Sequence, residues 1–265
     1  MKGACMELKE VITMLEQLSP PSFAEDWDNS GLMCGRAAKE VKSILLSVDA
    51  TDEVVEEAVL TGADLLLTHH PLIFPSVSHI TEEDHVGRKL LTLIASDVAC
   101  YSMHTNFDVM GMADEAADRL QLEDREVLQV TYEDAIANEG IGRVGNLGRD
   151  MRLKYCCELV KEAFILDNVR LFGDPEMKVR RVAIAPGSGA DMIPYAIKAG
   201  AQLLITGDIS HHKGIDAVAE GLNIIDAGHY GIEKIFVSYM KDFFRKKLPE
   251  MNVSAASQKE PFIVL

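Results

Sequence analysis

Two periods of apolar and polar positions run along the chain. Residues 6–18 (MELKEVITMLEQL) carry apolar side chains at helical spacing, and Pro20-Pro21 stop that helix. Val41 to Val48 (VKSILLSV) reads as a strand, followed by a helix over 52–61 with Thr51 as its N-cap and acids in its first turn. Gly62 ends the helix. Leu65-Leu66-Leu67 then forms a short apolar run between Gly62 and Pro71, the pattern of a parallel strand covered on both faces. Strand, helix and strand make a βαβ unit with an expected right-handed crossover.

The pattern recurs. Val182–Pro186 is a strand, Gly187-Ser188-Gly189-Ala190-Asp191 a turn and 192–199 a helix. Gly200–Thr206 (GAQLLIT) then repeats Gly62–Thr68 (GADLLLT). Two further strands, Val98–Met103 and Asn223–Ala227, each lead into His-x-x-x-acid: His104 to Asp108 and His229 to Glu233. Residues 126–180 read differently, with strand and turn over Gly140–Gly145, a helix over 152–164, a strand over 169–172 and a turn at Gly173-Asp174-Pro175. The expectation is an α/β protein of two units of similar βαβ build, mixed sheets flanked by helices. Residues 1–125 form the first unit and 126–265 the second, and the tail 259–265 is a final strand returning to either sheet.

Composition narrows the class. Hydrophobic residues are 48% and charged residues 26% of the chain, ordinary for a globular protein. A net charge of −16 repels nucleic-acid backbones and argues against that partner. The basic cluster Arg245-Lys246-Lys247 suits the end of a helix. Cys5, Cys34, Cys100, Cys156 and Cys157 are odd in number and contain no CxxC pair, so neither a disulfide framework nor a cysteine zinc site is indicated. The charged, amphipathic start lacks a signal-peptide core, and no apolar run approaches a membrane span. These features point to a cytoplasmic, reduced protein.

The candidate chemistry sits after the strands. His69 and His70 follow the central apolar run, where open α/β sheets place ligands. Pro71 holds His70 extended, so the two imidazoles are expected to diverge and to serve two neighbouring cations more easily than one. His229 and Glu233 share one face of a helix, whereas His104 and Asp108 span a loop entering a helix near 112–120. Each residue alone reads as a satisfied histidine or a capping acid. Together, four histidines and two carboxylates recurring in both halves favour a metal site for Zn, Mn, Fe, Co or Ni over Ca. Asp208, His211 and His212 read as extra ligands, as groups orienting an imidazole, or as an exposed turn, the last favoured for His212. His79 and His85 lie in a polar stretch that is a surface loop by default and a lid otherwise. At Trp27-Asp28-Asn29-Ser30-Gly31, a packed tryptophan anchoring an Asx turn is favoured over Asp28 or Asn29 reaching the site. Gly187-Ser188-Gly189 could hold a phosphate on backbone N–H groups, but it matches neither phosphate-loop fingerprint.

Trp27–Gly31, Leu67-Thr-His-His-Pro71, His104-Thr-Asn-x-Asp108, Gly140-x-Gly-Arg-Val-Gly145, Pro186-Gly-Ser-Gly189, Thr206-Gly-Asp208 and Gly228-His229-x-x-x-Glu233, in this order, resemble the Nif-three-like family, the GTP cyclohydrolase I type 2 homologues. The resemblance covers nearly the whole chain. It implies that the two α/β units are interlinked with a dinuclear metal site between them, two divalent metal ions held by His69, His70, Asp108, His229 and Glu233, with a carboxylate bridging and His104 close by. It also implies a homohexamer, a trimer of dimers with its metal sites facing an internal cavity. Only residues 126–180 separate the halves, so the resemblance is to the family's short form, without an inserted domain. The expected activity is hydrolysis of a nucleotide or related small molecule by a metal-activated water, with GTP cyclohydrolase the nearest named reaction. His104 and Asp208 are left as proton relays. The rival reading is a non-catalytic metal-binding, metal-delivery or regulatory scaffold protein.

Overall fold

A computed structural model describes residues 5–133 and 137–264. Met1–Ala4 and Leu265, the ends of the amphipathic start and of the tail read above, lie outside the described residues. Two compact units emerge: residues 1–107 with 236–265, and residues 108–235. The sequence places one boundary near residue 125. The compact units divide at 107/108 and again at 235/236.

The first unit is built on a five-stranded sheet. Its central strand is Leu65–Thr68, paired in parallel with Ser43–Ser47 on one side and Ala99–Ser102 on the other. Leu65, Leu66 and Leu67 are each 0% exposed, and the crossover helices Asp52–Leu60 and His85–Ala95 bury their apolar faces on the side of the sheet that carries Leu66. Thr51 caps the first of these by accepting from the Val54 N–H. Gly31–Cys34 closes one edge antiparallel, and Asn252–Ala255 closes the other in parallel with Ser43–Ser47. The final strand therefore comes earlier than the expected tail. Residues 259–264 form no strand; Phe262, Ile263 and Val264 are exposed, so the apolar run there buries nothing. The N-terminal helix is Leu8–Leu18, with Leu8, Val11 and Leu15 buried at the predicted spacing.

The second unit carries a six-stranded sheet. Lys178–Ser188, Leu203–Gly207 and Asn223–Asp226 are its parallel core, joined by helices Ile193–Lys198 and His211–Ala219. Three successive parallel strands with two crossover helices are thus common to both units, as the repeated strings predict. The hairpin of Glu123–Glu133 and Asn138–Arg152 extends the second sheet on one side, and Arg170–Phe172 closes the other. Arg143, 5% exposed, explains the glycine-rich motif around it. Its guanidinium donates to the Gly140 and Gly142 carbonyls at 2.9 Å and grips Asp114 at 2.7 and 2.8 Å. A Cβ on Gly140 would sit 1.9 Å from the Gln129 carbonyl oxygen, so no side chain fits in this pairing.

Candidate metal centre

In the first unit the central strand ends at Thr68, and His69-His70 sit in a bend beyond it. Backbone ties persist: His69 N–H donates to the Ser47 carbonyl and His70 N–H to that of Val48. Thr68 Oγ1 donates to the His70 carbonyl at 2.8 Å and accepts from Ser102 Oγ, also at 2.8 Å. The imidazoles do not diverge as an extended pair would. Because the strand has already ended, their centroids lie 4.8 Å apart at a 44° tilt. His104, just past the neighbouring strand, joins them: one ring nitrogen from each of His69, His70 and His104 lies within 4.8 Å of the others. This group could hold a metal ion.

What the rings do on their other side fixes their tautomers. His69 Nδ1 lies 2.8 Å from the Met103 carbonyl oxygen, which can only accept, so Nδ1 carries the proton and Nε2 the lone pair. His70 Nδ1 lies 2.7 Å from Asp49 Oδ1, and His104 Nδ1 lies 2.7 Å from Asp28 Oδ1. All three imidazoles thus present Nε2, as histidines do when an oxygen orients them for a metal.

Asp28 is the hub behind His104. Its fully buried carboxylate also accepts from Ser30 Oγ, Thr105 N and Thr105 Oγ1. Burial alone would raise its pKa. The hydrogen bonds from His104, Ser30 and Thr105 outweigh that and hold it well below the usual carboxylate range. Of the two readings of the Trp27–Gly31 turn, the structure favours the one in which Asp28 reaches the histidines; Trp27 itself is 59% exposed rather than packed.

Asp49 is held in turn by the C-terminal segment. Gln258 Nε2 donates to Asp49 Oδ2, and Gln258 Oε1 accepts from Ser47 Oγ, Val48 N and Asp49 N. Neither Asp49 nor Gln258 carries a spacing signal in the sequence, since each lies in irregular chain.

The second unit gathers its own donors. Its first residue, Asp108, opens a π-helical turn, Asp108–Met112, that runs into the helix Ala113–Arg119, where the sequence predicts a loop. Such turns are frequent at functional positions. His229–Glu233 is a short helix whose facing side chains meet as predicted, His229 Nε2 lying 3.0 Å from Glu233 Oε2. Carboxylate oxygens of Asp108 and Glu233 come within 4.8 Å of each other. His229 Nδ1 lies 2.8 Å from Asp208 Oδ2, so Asp208 orients this imidazole as Asp28 and Asp49 orient theirs. It does so from a left-handed backbone, φ +57°. Buried Asp226 fixes the two loops involved, accepting from Ile209 N at 2.9 Å and Gly228 N at 3.0 Å and pairing with Arg170.

The Pro186-Gly-Ser-Gly189 turn packs against this pair. A Cβ on Gly187 would lie 2.3 Å from Glu233 Oε1, and one on Gly207 would lie 2.6 Å from the His229 backbone nitrogen. At these two positions the lack of a side chain lets the backbone approach Glu233 and the start of the His229 helix closely. His211 and His212 are exposed at the start of their helix, rings edge to face at 5.3 Å, and His79 and His85 are exposed. None of these four belongs to a metal-capable group among the described residues.

The donor chemistry fits divalent first-row cations. Neutral imidazoles and carboxylates in mixed sets suit Zn, Mn, Fe, Co or Ni. Two negative groups face His229, Asp208 on Nδ1 and Glu233 on Nε2, an arrangement that calls for a cation or an extra proton.

Two proteins named GTP cyclohydrolase 1 type 2 homolog are similar over most of their length. The one from Clostridium perfringens is 39% identical over 86% of this chain and 87% of its own. That from Clostridium acetobutylicum is 34% identical over 94% and 93%. The fold is shared with a crystal structure titled as a Bacillus cereus protein related to NIF3, with TM-score 0.89, 24% identity and coverage of 98% of this chain and 99% of that one. The family model for Duf34/NIF3 (NGG1p interacting factor 3) matches residues 6–261, and the chain belongs to that family.

Proposed function

We propose that this protein is a metal-dependent hydrolase acting on a nucleotide or a related small molecule, in the manner the name GTP cyclohydrolase 1 type 2 suggests for its relatives. His69, His70, Asp108, His229 and Glu233 would hold two divalent cations. One observation carries the reading. All four candidate imidazoles have Nδ1 engaged by a protein oxygen, Met103 O, Asp49, Asp28 or Asp208, and so offer Nε2. Solitary surface histidines have no reason to share that orientation.

When bound, such cations would supply an acidified water as nucleophile and would polarise a substrate oxygen. The chain's own groups supply the rest. His104 can take a proton at Nε2 while Asp28, kept ionised, stabilises the resulting imidazolium. Asp208 holds His229 and is the second proton-relay candidate. The working form is a homohexamer, a trimer of dimers.

Purified protein loaded with Zn, Mn, Fe, Co or Ni in turn should hydrolyse GTP or another member of a nucleotide panel. Turnover should fall by at least about a hundredfold in His69→Ala and Glu233→Ala variants that still fold. Full metal binding without turnover on any panel would replace this reading with metal delivery or a regulatory scaffold. Light scattering tests the hexamer.

A further inference from the structure

Three aromatic rings beside the histidine cluster stand nearly perpendicular to one another. Trp27 and Phe74 meet at 80° with centroids 5.9 Å apart, Trp27 and His104 at 75° and 5.9 Å, and Phe74 and His104 at 79° and 6.5 Å. Two of the three are open to solvent, Trp27 at 59% and Phe74 at 50% exposure. Large aromatic side chains carry the greatest apolar area of any residue, and leaving two of them uncovered side by side forgoes much burial energy.

The corner is held in place. Asn29 Nδ2 donates to the Ile73 carbonyl at 2.7 Å, tying the turn that carries Trp27 to the segment that carries Phe74. Asp28, between Trp27 and Asn29, grips His104 Nδ1 at 2.7 Å. The chain thus fixes two exposed aromatic rings against a histidine whose opposite nitrogen points to the metal-capable group.

We infer that Trp27 and Phe74 form the recognition platform for a planar heteroaromatic ring of purine type, stacked on an exposed aromatic face with its edge toward His104. The inference rests on the proposed hydrolase reading for why such a ring would be brought there. Stacking suits a chain of net charge −16, because a π-face attracts a ring without needing a cationic partner.

Trp27 is the only tryptophan, so fluorescence under tryptophan-selective excitation reports on this corner alone. Guanosine added to the purified full-length chain in a chelating buffer should quench that fluorescence saturably, and ribose 5-phosphate should not. Phe74→Ala should weaken guanosine binding about tenfold. By calorimetry, Trp27→Phe should retain binding and Trp27→Ala should lose most of it. No saturable quenching, an equal response to ribose 5-phosphate, or an unchanged affinity in Phe74→Ala would overturn the proposal. So would a signal that follows protein concentration and ignores guanosine, which would assign the corner to contact with a second copy of the chain. Binding is read without turnover or metal, so failure of the hydrolase reading and failure of the platform give different results.

Discussion

Asp28 Oδ1 and His104 Nδ1 lie 2.7 Å apart across a sequence separation of 76 residues, and this contact links the N-terminal turn to the histidine cluster. The carboxylate is fully buried and accepts from Ser30 and Thr105 as well. Asp28→Ala strands these donors, so we expect a loss of about 2–4 kcal/mol in urea denaturation. An unchanged midpoint would show that the network contributes nothing to folding.

The same carboxylate sets a pH dependence. Its folded pKa is lowered, while the unfolded value is about 3.9. Between the two, the unfolded chain holds a proton that the folded chain lacks, so stability rises with pH there. Asp28's contribution is therefore complete above roughly pH 5 and drains away as pH falls below about 4. Asp28→Asn keeps the shape and removes the titration. Its stability curve should be flatter than wild type below about pH 4, and parallel curves would count against the assignment.

Gln258 controls His70 at one remove, through Asp49. Gln258→Ala should cost about 1–2 kcal/mol of stability and lower metal affinity by roughly ten- to a hundredfold, as lost orienting partners do. A chelator competition titration reads the second effect. Equal affinity in variant and wild type would mean that His70 needs no such support.

Gly187 and Gly200 share a left-handed backbone, φ +75° and +71°, but differ in surroundings. A Cβ at Gly200 meets nothing within 4 Å, whereas one at Gly187 runs into Glu233 Oε1. Both alanine variants should lose about 1–2 kcal/mol to backbone strain. Only Gly187→Ala should also lose metal, by displacing the carboxylate. Equivalent metal content in the two variants would separate Glu233 from the centre.

The parallel cores were legible because buried strands write themselves as short apolar runs, Leu65–Leu67 and Leu203–Ile205, and the repeated polar endings drew attention to His69, His104 and His229. What was not legible has a common cause. Asn252–Ala255 joins the sheet through backbone bonds at an edge, and none of its four side chains is buried, so no periodicity marks it. The apolar tail after it mimics a strand and stays exposed. Asp49 and Gln258 act from irregular chain and Asp226 from the last position of a strand, through long-range hydrogen bonds that leave no trace in spacing. Asp28 stood in a visible motif, but its partner lies 76 residues away.

The central claim is that His69, His70, Asp108, His229 and Glu233 hold a pair of cations. The most direct measurement is metal content by elemental analysis of chelator-free protein, wild type against His69→Ala and Glu233→Ala, one variant in each unit. The account predicts about two first-row cations per chain in wild type and depletion of the same centre by either substitution. Wild-type protein that takes up no such metal, or a Glu233→Ala variant that keeps its full complement while His69→Ala loses it, would contradict it.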